Sequence, residues 1–259
     1  MLERFEGRFY KMLDIHIQNV ENLKERSTGR QNDVFKLLIE RYQKCYRVVF
    51  DALNDFLYEQ NFGIYQVGEN AYVDYLRSLY KDEKKKQEAV CTLAYGYFFY
   101  GVNYTINRKD GCIAELNEAL SKRMDIENAA HSSCNEVMGH YYRHLYQTVR
   151  YVANMNDAVI DEQQKYEYIK MLRAQMSDTE QLLLYYNSLS IPGRNWNEPS
   201  QATGLSKYAY RQCMGYIARF RLIKNLTNLN QVIGLNPKVK YANEIQAYDD
   251  RRQAFFEQE

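Results

Sequence analysis

The densest concentration of titratable and aromatic side chains in this 259-residue chain is the run Gly139, His140, Tyr141, Tyr142, Arg143, His144, Leu145, Tyr146. On a helix, residues four apart share a face, so His140 and His144 stand together. Two imidazoles so placed can hold a metal ion, and His131 and Cys134 lie one or two turns upstream. The zinc-protease form of that arrangement needs Glu directly after the first His, where this chain has Tyr141. The closing ligands are neither well spaced nor matched by a second cluster, so neither a metal nor another cofactor is expected. The plainer reading pairs Arg143 with a helix neighbour such as Glu136 and leaves the histidines as hydrogen-bonding core residues.

A second cluster is KYEYIKMLRAQMSDTEQLLLYYNSLS at 165–190. Tyr166, Ile169, Leu172 and Met176 form an apolar stripe, with Arg173 on its flank where it could meet a carboxylate from another helix. Leu182, Leu183, Tyr185 and Tyr186 make the following segment apolar around most of its circumference, as a central element would be. Asn187, near the end of that segment, is placed to hydrogen-bond a neighbouring loop. Glycine-rich phosphate loops, nucleophile elbows and paired-cysteine metal signatures are missing from the sequence, which argues against ATP-dependent and triad-hydrolase chemistry.

The elements that must position these residues are helices. The three prolines stand at 192, 199 and 237, so nothing before residue 192 forces a break. Phe5, Phe9, Met12, Leu13, Ile17 and Val20 mark a first amphipathic helix over 2–24, and Phe35 to Phe56 a longer one over 32–61. A short helix is expected at 70–80. The run Lys81–Glu88 reads as a solvated face or a polar helix start, followed by aromatic-rich 89–101 and a loop over 103–111. Further helices are expected near 112–122 and 126–156. Asp161 with Gln164, and Ser177 with Glu180, match the capping box, which predicts helices at 162–176 and 178–190 packed as an antiparallel hairpin. A Pro, Gly and Asn cluster at 192–199 separates these from a C-terminal helical pair near 204–225 and 240–257. The expected fold is all-α, a single bundle domain over 1–259 of roughly eight to ten helices.

Composition narrows the function classes. Hydrophobic residues make up 46% and charged residues 26%, values of a folded globular chain. Lys and Arg total 34 against 33 Asp and Glu, so any nucleic-acid contact must be a local patch. The 25 tyrosines, each with a hydroxyl needing a partner, belong at the core boundary or at an interface. Five cysteines without CxxC spacing imply reduced thiols and a cytoplasmic setting. The longest apolar stretch, Leu93–Val102, is too short to cross a bilayer, which needs about 20 residues.

The strings GHYYRHLYQTVRYV at 139–152 and KYEYIKMLRAQMSDTEQLLLYYNSLS at 165–190 resemble the two signature blocks of AbiC-like phage abortive infection proteins. YGYFFYG at 95–101, FYKMLDIH at 9–16 and DVFKLL at 33–38 resemble that family's other blocks, in family order. The resemblance runs from residue 5 to 190 and implies a bacterial defence protein that limits phage propagation by harming or arresting the infected host. It marks His140, Tyr141, Arg143, Tyr146, Arg173, Gln175, Ser177, Glu180 and Asn187 as the family's polar set. Many relatives carry hydrophobic helices ahead of the FYKMLDIH-like block. The chain is therefore expected to be either a soluble member or one whose membrane part is missing, in which case it would sit at the inner membrane face.

Three modes of action follow as expectations. The first is an infection-triggered effector or sensor that binds a phage or host protein through a tyrosine-rich helical surface. The second is a metal-independent ribonuclease similar to the small helical HEPN domains. Their signature is Arg, a polar residue, three others and His; Arg143 and His144 fit it, while Thr148 stands at the last position. In this mode Arg143 would stabilise phosphate charge and His140 or His144 would move protons, with RNA as partner. The third is a regulatory module that self-associates through the 178–190 helix.

Overall fold

The computed structural model describes residues 1–26, 34–61, 82–104, 111–130, 133–198, 215–226, 232–249 and 253–256. Among these residues there are ten α-helices, eight of them seven residues or longer, and no strand. The fold is all-α. None of the described helices is long and apolar enough to cross a membrane. The helix expected at 70–80 lies outside the described residues.

Helix α1 (Leu2–Arg26) buries the stripe Phe5, Phe9, His16, Val20 and Leu23, mainly against α5 (Asn135–Ala153). Phe5 stacks on Tyr151 at 5.4 Å and meets Tyr168 edge-on at 4.9 Å, so the start of α1 is held by rings from two later elements. Helix α2 (Val34–Asn61) is covered by α3 (Glu83–Tyr100) and α4 (Gly111–Ile126). The charge run before residue 89 is the polar start of α3, capped by Asp82, which accepts from the Lys85 amide. From Val90 to Phe99 every α3 residue except Thr92 is buried, so this helix forms the centre of the bundle.

The expected helix over 126–156 begins later, at Asn135. Asn128 adopts φ 48°, a left-handed conformation that Asn tolerates, and the Ala129 amide turns back to the Met124 carbonyl. Buried Ala129 and Ala130 then carry the chain across the end of α3, where Ser133 donates to the Phe99 carbonyl at 2.8 Å.

Helices α6 (Glu162–Arg173) and α7 (Asp178–Ser188) each begin with a complete capping box. Their principal contacts are with other helices rather than with one another: α6 sits on α5, while α7 turns inward onto α2 and α3. The antiparallel hairpin is therefore replaced by a bend at the Ser177 cap. Residues Glu180–Ser188 are all buried, and Tyr186 stacks on Tyr42 with ring centroids 4.0 Å apart. That leaves no free face for self-association through this helix, contrary to the third expectation.

Of the expected C-terminal pair, 204–214 lies outside the described residues; the first helix ends before 225 and the second stops short of 257. Helix α8 (Tyr216–Phe220) stops at Arg221, whose φ is 49°, and α9 (Pro237–Lys240) and α10 (Ala242–Asp249) follow. Arg173 is buried, but it meets carbonyls rather than the expected carboxylate: its guanidinium donates to the Phe220 and Arg221 carbonyls at 3.2 and 2.9 Å. A cation at a helix C-terminus satisfies the last carbonyls and opposes the negative end of the dipole. Phe255 and Phe256 return to the same core. Tyrosine also lies deeper than expected, since Tyr42, Tyr95, Tyr97, Tyr141, Tyr185 and Tyr186 are among the largest fully buried side chains.

Candidate functional site

Helix α5 presents different chemistry on successive strips of its surface. Asn135, Gly139, Tyr142, Arg143, Tyr146 and Gln147 line an open cleft of about 260 Å³. Its other walls are Phe99 and Tyr100 at the end of α3, Asn187 on α7, and Pro192, Gly193, Asn195 and Trp196 of the following loop. Arg143 is the sole charged residue in that lining; it is exposed and forms no ion pair with any described residue, Glu136 included. Gly139 keeps the floor low. A methyl group there would stand 3.1 Å from the Asn135 Oδ1, a tight contact, and 3.5 Å from an Arg143 guanidinium nitrogen, an ordinary one.

Asn187 builds the far wall. Its amide nitrogen donates to the Tyr95 hydroxyl at 2.9 Å, and its Oδ1 accepts from the Trp196 indole at 3.0 Å, so one buried amide ties α3, α7 and the loop together. Trp196 meets Tyr146 edge-on at 5.1 Å. The loop can pass this close only because residue 193 is glycine: a Cβ there would lie 1.9 Å from the Asn187 carbonyl oxygen. The sequence pattern pointed to Arg143, Tyr146 and Asn187, and the fold brings these three to the cleft. It did not point to Tyr100, Asn135, Gln147, Asn195 or Trp196. The sole tryptophan, set in a Pro, Gly and Asn cluster, was the available signal.

The imidazoles lie elsewhere. His140 is exposed and outside the cleft lining; His144, one turn on, is half-buried, and burial lowers its pKa. On the α1 side of α5 stands a third imidazole that the sequence reading missed. His16, 1% exposed, lies 5.6 Å from the Tyr141 ring, and neither of its nitrogens has a hydrogen-bond partner. Burial, with a smaller contribution from His144, lowers its pKa to about 4, so it is neutral at pH 7. Its signal was its place on the apolar stripe of α1.

Tyr141 and Glu180 form a buried pair behind the cleft: the tyrosine hydroxyl donates to the Glu180 carboxylate at 3.0 Å, and the other carboxylate oxygen accepts from the Ser177 amide at 2.9 Å. Glu180 thus fixes α7 to α5 while closing its own capping box. Burial and the adjacent carboxylate push the Tyr141 hydroxyl well above its ordinary pKa. Arg173 belongs to the C-terminal junction, and Gln175 is exposed in the bend before α7. Thr148, at the position where the HEPN pattern has histidine, is buried and donates to the His144 carbonyl of its own helix at 3.0 Å.

A larger groove of about 600 Å³ runs between α2 and α4 along Lys44, Arg47, Asp51, Arg123 and Glu127. Arg123 is paired there with Asp55 at 2.7 Å, and the remaining lining is mixed in sign, so the groove presents no net charge to a ligand.

Residues 133–199 match the model of a family described as putative phage abortive infection protein. The match begins just before α5 and ends just after the Trp196 loop, so it contains all of the cleft except the end of α3. It includes both signature blocks recognised in the sequence; the blocks at 9–16, 33–38 and 95–101 fall outside it. Over residues 133–199 the chain is similar to that family. No curated protein and no solved structure matches the chain.

Proposed function

We propose that this chain is an infection-triggered effector or sensor of phage abortive infection that works by binding a phage or host protein, and that the cleft on α5 is where the partner docks. The observation that carries the reading is the separation of groups on α5: the unpaired guanidinium of Arg143 opens onto a cleft of rings and amides, whereas His140 and His144 are not in its lining. The HEPN-like ribonuclease reading needs an imidazole within hydrogen-bond reach of the atoms the cation stabilises. Binding does not. On this reading the partner is a protein rather than RNA, and the setting is the cytoplasm, in keeping with the free thiols of Cys45, Cys91 and Cys134.

A photo-crosslinking residue in place of Asn195, at the cleft rim, tests this in infected cells. The expected result is one protein adduct that disappears when Arg143→Ala is added. A nucleic-acid adduct, or a protein adduct indifferent to Arg143, contradicts the proposal. Purified chain incubated with total RNA in EDTA should leave the RNA intact. Fragments made by the wild type but not by His140→Ala would favour the HEPN-like ribonuclease reading instead.

A further inference from the structure

We infer that the cleft receives the carboxylate end of a polypeptide, with the terminal carboxylate on Arg143 and the last side chain against the Tyr146 and Trp196 rings. This rests on the docking reading above and names its chemistry. Three observations lead to it.

First, the lining carries one charge, a positive one, with no acidic side chain beside it in the cleft. A guanidinium is planar and offers paired donors that match a carboxylate in two parallel hydrogen bonds. Nucleic acid binding instead draws on several cations spread along a backbone, and Arg143 stands alone. Second, the space is small. At about 260 Å³ it lies just under the roughly 300 Å³ at which small-molecule sites usually begin, so it fits the end of a chain better than a whole cofactor. Third, Asn135, Gln147 and Asn195 bring three side-chain amides to the cleft, each both donor and acceptor, which suits the N–H and C=O groups of a peptide entering from solvent. Gly139 leaves room beside these groups, since a Cβ there would stand 3.1 Å from the Asn135 Oδ1 and in van der Waals contact with the Arg143 guanidinium.

Trp196 is the only tryptophan in the chain, so its fluorescence reports on this cleft directly. The 259-residue chain is screened against octapeptides of varied sequence displayed with free C-termini, and against the same set amidated. The sequences that bind are then titrated in both forms by Trp196 fluorescence. The acid form is expected to bind at least roughly tenfold more tightly than its amide, the scale of one charge-assisted pair. Arg143→Gln should bring the two forms to equal affinity, which a merely structural role for Arg143 would not do.

Equal affinity of acid and amide for the wild type overturns the carboxylate assignment and leaves partner docking standing. A preference that survives Arg143→Gln overturns it as well. Binding to neither set overturns it too; if Arg143→Ala cells then still resist phage, the docking reading falls with it.

Discussion

Acidification should loosen the seating of α1, and His16 should be the reason. Its imidazole is buried, both nitrogens lack partners, and the groups facing it are the Tyr141 ring and His144, neither of which offers a negative charge. The pKa falls from 6.5 in an open chain to about 4 in the fold. The unfolded chain therefore takes up a proton below about pH 6.5 that the folded chain refuses until about pH 4. Stability from this group is fully present above the higher value, is lost as pH falls between the two, and levels off below the lower one. A shift from 6.5 to about 4, at about 1.4 kcal/mol per unit, corresponds to about 3 kcal/mol.

His16→Leu removes both the titration and the two unsatisfied nitrogens. Its stability at about pH 7 should equal or exceed that of the wild type, because a buried polar group without partners costs about 1–3 kcal/mol. Urea unfolding followed by circular dichroism at about pH 7, 6, 5 and 4.5 gives the comparison. The wild type should lose about 2 kcal/mol more than His16→Leu over that range, which spans most but not all of the transition. Parallel losses in the two proteins, or a His16→Leu variant markedly weaker at neutral pH, would refute the reasoning.

Asn187→Ala strands the Trp196 indole and removes a donor from the Tyr95 hydroxyl; a loss of about 2–4 kcal/mol and a red shift of tryptophan emission are expected on chemical unfolding. Arg173→Met leaves two C-terminal carbonyls without their donor, so amide exchange should rise at 216–226 before it rises in α5. Tyr186→Asp places a charge against the Tyr42 ring in a dry core and should abolish cooperative thermal unfolding rather than alter molecular mass. Gly139→Ala should raise thermal stability by up to about 1 kcal/mol through helix propensity while lowering phage protection, because it fills the cleft floor.

Much of the fold was legible in the sequence because its signals are local. The stripe from Phe5 to Val20 and the capping boxes at Asp161 and Ser177 each specify an element with residues at most a few turns apart. The late start of α5 was not legible, because its break depends on Asn128 in a left-handed conformation and on Ala129 and Ala130 packing across the end of α3. A periodic pattern cannot report such a crossing. The C-terminal region misled for a related reason: Arg221 ends α8 where buried Arg173 reaches its carbonyls, a contact 48 residues apart. The site was legible in part. Spacing placed His140 beside His144 on α5, but only the packing of α3 and the Trp196 loop decides which strip of that helix becomes a cleft, and it is Arg143's strip rather than theirs.

The central claim is that the Arg143 cleft, not the imidazoles of α5, carries protection. Phage plating on cells expressing equal amounts of wild type, Arg143→Ala and the double variant His140→Ala/His144→Ala tests it most directly. Protection should persist in the double variant and vanish in Arg143→Ala, with both variants folded by circular dichroism. Protection lost in the double variant but kept in Arg143→Ala would contradict it.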